Sequence, residues 1–379
     1  MRKKQLLLLS VLLCMFAFSA CTKDASDKKG DEASDSTGSI AVIEDTAKDI
    51  ADVKATVAPS DAPTAAPTAT QATAPTEKHI VSINFTSKLL SDTLVENSPT
   101  KELLIYLPPN YYKSEKRYPV VYFFHGFSES PSFVRTAEKS FNQYMLEAGG
   151  KEFIVVGIDG RIKGSDGSFY SNSPVTGPWE DYVIDEIIPY IDENYRTIAK
   201  AESRGTAGFS MGGFACINLA FLHPDVFSSV LSLCPGLLKE GSLEVAMKSW
   251  TGDSQFLRCY GQTFSPNQDK DDFCDIPKMD GSEADAVIRD NWESGFGKLE
   301  EKIEAYLAKN QPLNKIEIIY GLADGYKWIP EGCLNFSELL TAKGIEHTMI
   351  ETSGGHSIPS DYKEKYFIPY FSEALNFEE

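Results

Sequence analysis

The stretch Gly205-Thr206-Ala207-Gly208-Phe209-Ser210-Met211-Gly212-Gly213 constrains the fold of this chain more than any other. Its centre has the pattern Gly-x-Ser-x-Gly, the sequence of a sharp turn from a strand into a helix. Small flanking residues let two backbones pass closely, and the serine hydroxyl is lifted clear of both. Such a turn needs a strand before it and a buried helix after it. Thr206 to Phe209 reads as that strand, and Met211 to Leu222 is apolar on every side, as a helix without a solvent face must be. Ser210 is the candidate nucleophile.

The rest of the chain from residue 78 supports the same architecture. His79 to Phe85 alternates like an edge strand, and Glu102 to Leu107, closed by Pro108-Pro109, makes a second. Tyr118 to Phe124 and Glu152 to Asp159 are continuous apolar runs, the pattern of strands buried on both faces. Between them Phe133 to Glu147 reads as a helix. Residues 160–177 read as a loop, and Trp179 to Tyr195 as a helix that Pro189 should kink or split. Strands over Phe227 to Leu233, Ile316 to Tyr320 and Glu346 to Glu351 follow. They alternate with helices over Ala284 to Ala308, Trp328 to Ala342 and Tyr362 to Leu375. This alternation predicts a mostly parallel sheet covered by helices on both faces. Residues 239–281 look irregular and polar, and their carboxylates Asp269, Asp271, Asp272 and Asp275 have no calcium-loop spacing, so they read as a solvated acidic face.

The N-terminal part reads differently. Arg2, Lys3 and Lys4 precede an apolar run from Leu6 to Ala17, shorter than the roughly 20 residues of a membrane span, so residues 1–20 are expected to be a secretory signal. Phe18-Ser19-Ala20 before Cys21 resembles a lipobox, with Cys21 the lipidated first residue; ordinary cleavage after Ala20 is the alternative. Residues 21–77 are rich in Ala, Ser, Thr and Pro without useful apolar periodicity. They are expected to form a disordered stalk that holds a single domain, residues 78–379, off a cell surface. The formal net charge of −19 argues against nucleic acid and against docking on an anionic membrane, which leaves the lipid anchor as the only expected membrane contact. Beyond Cys14 and Cys21, the five cysteines form neither a disulfide framework nor a zinc pattern, although Cys259 with Cys274 is a pair that could bridge.

A serine attacks a carbonyl only if a base takes its proton, and after this elbow the partners follow in the order acid, then His. Of five histidines, only His356 lies in a loop beyond the last strand, in Ser353-Gly354-Gly355-His356-Ser357. Its orienting acid should follow the preceding parallel strand, where Gly321-Leu322-Ala323-Asp324-Gly325 offers Asp324; Asp253 is a weaker substitute. Developing negative charge on the attacked oxygen needs backbone donors. The N–H of Met211 is one candidate. The N–H of Phe127, after the strand end at His125-Gly126, is the other. Among the aromatic residues expected near the site edge, Tyr170, Trp179 and Trp328 are candidates to stack on a substrate ring. No residue pattern calls for a metal or another cofactor.

Several separated motifs resemble one family in the right order: Tyr106-Leu107-Pro108-Pro109, His125-Gly126, Trp179-Glu180-Asp181-Tyr182 with Ile188-Pro189-Tyr190-Ile191, Gly208 to Gly213, and Gly354-Gly355-His356-Ser357. Together they are similar to the esterase D-like, or putative-esterase, group of α/β-hydrolases. The resemblance implies an α/β-hydrolase fold, Ser210, Asp324 and His356 as a triad, and Phe127 with Met211 as the oxyanion hole. It implies a serine esterase on carboxylic esters, with feruloyl or acetyl esters of plant polysaccharide as the expected substrate. A siderophore esterase, an acyltransferase of the same fold, or a binding module on a hydrolase scaffold are the alternatives. Residues 239–281 depart from the family's pattern, so the pocket wall is open at this point.

Overall fold

The computed structural model describes residues 77–147, 151–163 and 166–378. The expected signal, the Cys21 anchor and the stalk up to residue 76 lie outside the described residues. Among the described residues ten strands run in chain order: β1 (Ile80–Thr86), β2 (Thr100–Tyr106), β3 (Val120–Phe124), β4 (Ile154–Ile158), the two-residue pair β5 (Asn172–Ser173) and β6 (Gly177–Pro178), β7 (Arg204–Phe209), β8 (Ser229–Leu233), β9 (Lys315–Gly321) and β10 (Thr348–Thr352). Eight of them form one sheet in the order β1-β2-β4-β3-β7-β8-β9-β10. The pairs β1·β2 and β2·β4 are antiparallel, and every later pair is parallel. This is the α/β-hydrolase architecture.

The burial pattern explains which strands sit in the middle. Every residue of β3, β4, β7 and β8 is buried, as the continuous apolar runs require, whereas β1 alternates between half-buried and exposed positions at the edge. The helices are α1 (Ser132–Glu147), α2 (Trp179–Asp181), α3 (Ile188–Asn194), α4 (Met211–Leu222), α5 (Leu243–Trp250), α6 (Ser254–Phe264), α7 (Glu283–Glu293), α8 (Leu299–Leu307), α9 (Trp328–Ala342) and α10 (Ile368–Ala374). Helices α1 and α10 pack together on one face of the sheet, and α4, α8 and α9 form a contiguous layer on the other. Among the described residues no helix is long and apolar enough to cross a membrane.

Two sequence expectations change. Residues 239–281 are not irregular, because α5 and α6 lie inside them. Each is short: Leu243, Ala246 and Trp250 give α5 one buried stripe, and Asp253 caps α6 by accepting from the N–H of Phe256 at 2.9 Å. Stripes of so few residues, separated by Thr251-Gly252, leave little periodicity to find. Cys259 and Cys274 do not bridge; both are free and buried. The segment over Trp179 to Tyr195 is split as Pro189 demands, into α2, a π-helical stretch Tyr182–Ile187, and α3 with Pro189 in its first turn.

Candidate active site

The elbow is built by close backbone contact. A Cβ at Gly208 would fall 2.0 Å from the carbonyl oxygen of Gly212, and one at Gly212 would fall 1.9 Å from that of Phe124. Only hydrogen fits at either position, so β3, β7 and the start of α4 can approach as the turn requires. Ser210 itself sits at φ 56° and ψ −113°, a conformation that costs a residue with a side chain about 1–3 kcal/mol. Its flanks hold it there: the N–H of Ser210 donates to Leu233 O at 3.0 Å, and its carbonyl accepts from Phe214 N at 3.0 Å.

The strands then deliver the partners to the same end of the sheet. After β9 the chain turns through Asp324, and after β10 it turns through His356. The two turns are joined by backbone bonds from Leu322 N to Thr352 O and from Ala323 N to Gly354 O, both 2.9 Å. Within this frame the Oγ of Ser210 lies 2.9 Å from Nε2 of His356, and Nδ1 of His356 lies 2.8 Å from Oδ2 of Asp324. Asp324 is fully buried, and its second oxygen accepts from the N–H of Tyr326 at 2.8 Å. With a carboxylate at Nδ1 that ring nitrogen carries the proton, which leaves Nε2 free to accept from the serine hydroxyl. Asp253 makes no such contact with His356. It caps α6 and sits on the cavity wall.

The rings of Phe209 and Tyr326 flank the imidazole, with centroids 4.9 and 5.1 Å from it. Behind the pair lies Cys234, whose Sγ falls within 4.8 Å of ligand atoms of both Asp324 and His356. Burial, with Asp324 adding to it, pushes the Cys234 thiol up to about 12. A neutral thiol and an Nδ1 already committed to a carboxylate make a poor set of metal ligands.

A cavity of about 350 Å³ opens over Ser210, His356, Phe127 and Met211. The N–H of Met211 belongs to the first turn of α4, where the helix offers no internal acceptor. The loop carrying Phe127 is fixed by His125, whose Nδ1 lies 2.8 Å from Gly126 O while Nε2 accepts from Gly160 N at 3.0 Å. The far wall is aromatic: Trp250, Phe256, Phe296 and Trp328 pack on one another, and Trp328 Nε1 donates to Ser249 Oγ at 3.0 Å. Helices α5 and α6 thus supply part of the wall that sequence reasoning left open, through Trp250 and Phe256, and Phe296 and Trp328 complete it.

Of the candidate stacking residues only Trp328 faces this cavity. Trp179 and Tyr170 are fully buried elsewhere. Trp179 donates to Thr176 O at 2.9 Å and has the ammonium of Lys101 over its ring. The Tyr170 hydroxyl donates to Ile158 O at 3.1 Å and accepts from His125 N at 3.2 Å, bracing the strand ends beneath the Phe127 loop. Sequence reasoning missed Tyr326, Phe209 and Phe256. Tyr326 lies two residues after Asp324 and Phe209 immediately before Ser210, so their proximity to the imidazole follows once the triad is drawn; nothing local marks Phe256.

Comparison with known proteins agrees with the geometry. The model of a family described as "Putative esterase" matches residues 98–295, just over half of the 379 residues. The match ends before Asp324 and His356, which the fold brings back to Ser210. "Esterase Rv1288" of Mycobacterium tuberculosis is 28% identical over 270 residues, covering 68% of this chain and 52% of its own. The chain therefore spans about half the length of that relative. A 134-residue stretch is 34% identical to "Endo-1,4-beta-xylanase/feruloyl esterase" of Xylanibacter ruminicola, over 32% of this chain and 18% of the other. A solved ferulic acid esterase is similar with a TM-score of 0.56 at 19% identity, over 78% of this chain and 98% of that one, a likeness of fold.

Proposed function

The chain belongs to the "Putative esterase" family, and on that footing we propose that it is a serine esterase that cleaves carboxylic esters through an acyl-enzyme on Ser210. The observation that carries the reading is the unbroken relay from Ser210 Oγ to His356 Nε2, 2.9 Å, and from His356 Nδ1 to Asp324 Oδ2, 2.8 Å. In the first step Oγ bonds to the ester carbon and its proton passes to Nε2. The carbonyl oxygen becomes an oxyanion that accepts from the N–H groups of Phe127 and Met211. Collapse breaks the carbon–alkoxy bond, and the imidazolium returns the proton to the leaving alcohol. Water then repeats the sequence, losing its proton to Nε2 and releasing the acid and free Ser210. Asp324 holds the ring in the required tautomer and offsets the charge of the imidazolium.

The aromatic wall of Trp250, Phe256, Phe296 and Trp328 suits a planar acyl group, and the relative from Xylanibacter ruminicola carries feruloyl esterase in its name. The substrate proposed is therefore a feruloyl ester, or a smaller acetyl ester, of plant polysaccharide. The secreted, Cys21-anchored placement is part of the same proposal and rests on the N-terminal sequence. Turnover of p-nitrophenyl acetate by the wild type and its loss in Ser210→Ala, with unfolding unchanged, is the expected result; a variant as active as the wild type refutes the mechanism. Arabinoxylan separates the substrates by release of ferulate or of acetate. A Cys21→Ser protein that stays bound to cells refutes the anchor.

A further inference from the structure

The turn that carries Phe127 is clamped twice by one residue. Over Gly126-Phe127-Ser128-Glu129 the N–H of Glu129 donates to Gly126 O at 3.1 Å, which closes a four-residue turn with Ser128 at φ 62° in its third position. Glycine or asparagine is the usual residue there. A serine keeps that left-handed backbone only where its surroundings over-determine it.

Two side chains do so here. Nε2 of His125 accepts from Gly160 N, so Nδ1 carries the proton and donates to Gly126 O at 2.8 Å, giving that carbonyl a second donor. Glu129 then closes the turn from its other side, because its carboxylate Oε2 accepts from the N–H of Gly126 at 3.0 Å. Gly126 is buried, and a Cβ there would crowd the same Oε2 at 3.1 Å. In a trans peptide the C=O and the following N–H point in opposite directions. Fixing Gly126 O therefore turns the N–H of Phe127 away from both donors, and among the described residues no acceptor takes it. Phe127, Glu129 and Ser210 line one cavity.

We propose that Glu129 is a positioning residue for the oxyanion hole: its carboxylate and its own N–H hold the peptides on either side of Gly126 so that the Phe127 N–H is presented to the reacting carbonyl oxygen. The inference rests on the esterase reading above. Glu129 acts as an acceptor and not through its charge, since a carboxylate near the hole opposes the oxyanion that forms there. The gain is a donor aimed before the reaction begins.

The test measures hydrolysis of p-nitrophenyl acetate by the wild type, Glu129→Ala and Glu129→Gln, together with inhibition by a benzyl trifluoromethyl ketone, whose adduct on Ser210 places an oxyanion in the hole. Removing an oxyanion donor outright costs about 10²–10³ in kcat, and a donor left present but unfixed should cost less. Acylation and deacylation both form an oxyanion, so Glu129→Ala should lose about thirtyfold in kcat with KM within about twofold, and the Ki of the ketone should rise by the same factor. Glu129→Gln keeps an oxygen for the Gly126 N–H and should stay within about threefold of the wild type on both measures. A residue that only stabilised the loop would lower the unfolding temperature without raising the Ki of the ketone. An Ala variant within about threefold of the wild type in kcat, a Gln variant as slow as the Ala variant, or a loss confined to KM overturns the positioning role and leaves the esterase reading intact. A wild type that cleaves no ester removes both.

Discussion

Replacing Asp324 by Asn separates the charge of the buried acid from its shape. Both oxygens of Asp324 accept: Oδ2 from His356 Nδ1 and Oδ1 from the N–H of Tyr326, each at 2.8 Å. An Asn side chain has one accepting oxygen and one donating NH2. Turning the NH2 toward Tyr326 opposes two donors and leaves a buried N–H without a partner, at a cost of about 1–3 kcal/mol. The oxygen therefore stays on Tyr326 and the NH2 faces His356. Nδ1 must then accept, so the neutral ring carries its proton on Nε2 and cannot take the one on Ser210. The imidazolium of the transition state also loses a facing charge, worth about 4 kcal/mol at 4 Å with an effective dielectric near 20. Together these terms remove about 5 kcal/mol, close to a 10⁴-fold fall in kcat. Initial rates on p-nitrophenyl acetate at pH 7.5, with thermal unfolding as a control, measure it. An Asn variant within tenfold of the wild type would refute the orienting role of Asp324.

Three further outcomes are expected. Gly212→Ala forces a Cβ to within 1.9 Å of Phe124 O, backbone that cannot yield, so the variant should lose more than about 3 kcal/mol by urea unfolding or fail to fold; wild-type stability would refute the close packing of the elbow. Phe256→Ala removes one aromatic ring from the cavity wall and should raise KM for methyl ferulate about tenfold while leaving p-nitrophenyl acetate within twofold; equal effects on both would refute the acyl assignment. Burial lowers the Lys101 ammonium from 10.5 to about 8, so between those values the unfolded chain binds a proton that the folded one does not, and stability rises with pH across the window. The rise should approach about 3 kcal/mol at most and be absent in Lys101→Met, as urea midpoints at pH 7.5 and 10 would register.

Much of the site can be read from the sequence because its parts obey local rules. Gly208 and Gly212 flank the serine since only hydrogen fits there, and that need is written as a pentapeptide. Asp324 and His356 each follow a strand of the parallel half of the sheet, so chain order alone places them at one edge. The aromatic candidates fared differently. Trp179, Tyr170 and Trp328 are all large aromatic residues, yet only Trp328 faces the cavity, because burial against the core and burial against a ligand site leave the same composition. The 239–281 segment is illegible for a related reason: two helices of 8 and 11 residues gain their order from packing Trp250, Phe256 and Tyr260 on rings that come from elsewhere in the chain, Trp328, Phe127, Phe169 and Trp292 among them.

The sequence by itself determined the sheet, the elbow and the order of the three polar partners, since strand burial and tight turns depend on neighbours along the chain. Only the tertiary structure decided which rings wall the cavity and that Cys259 and Cys274 stay unbridged. Those features come from side chains far apart in the chain that meet across the sheet's edge, and no local pattern records which of them will meet.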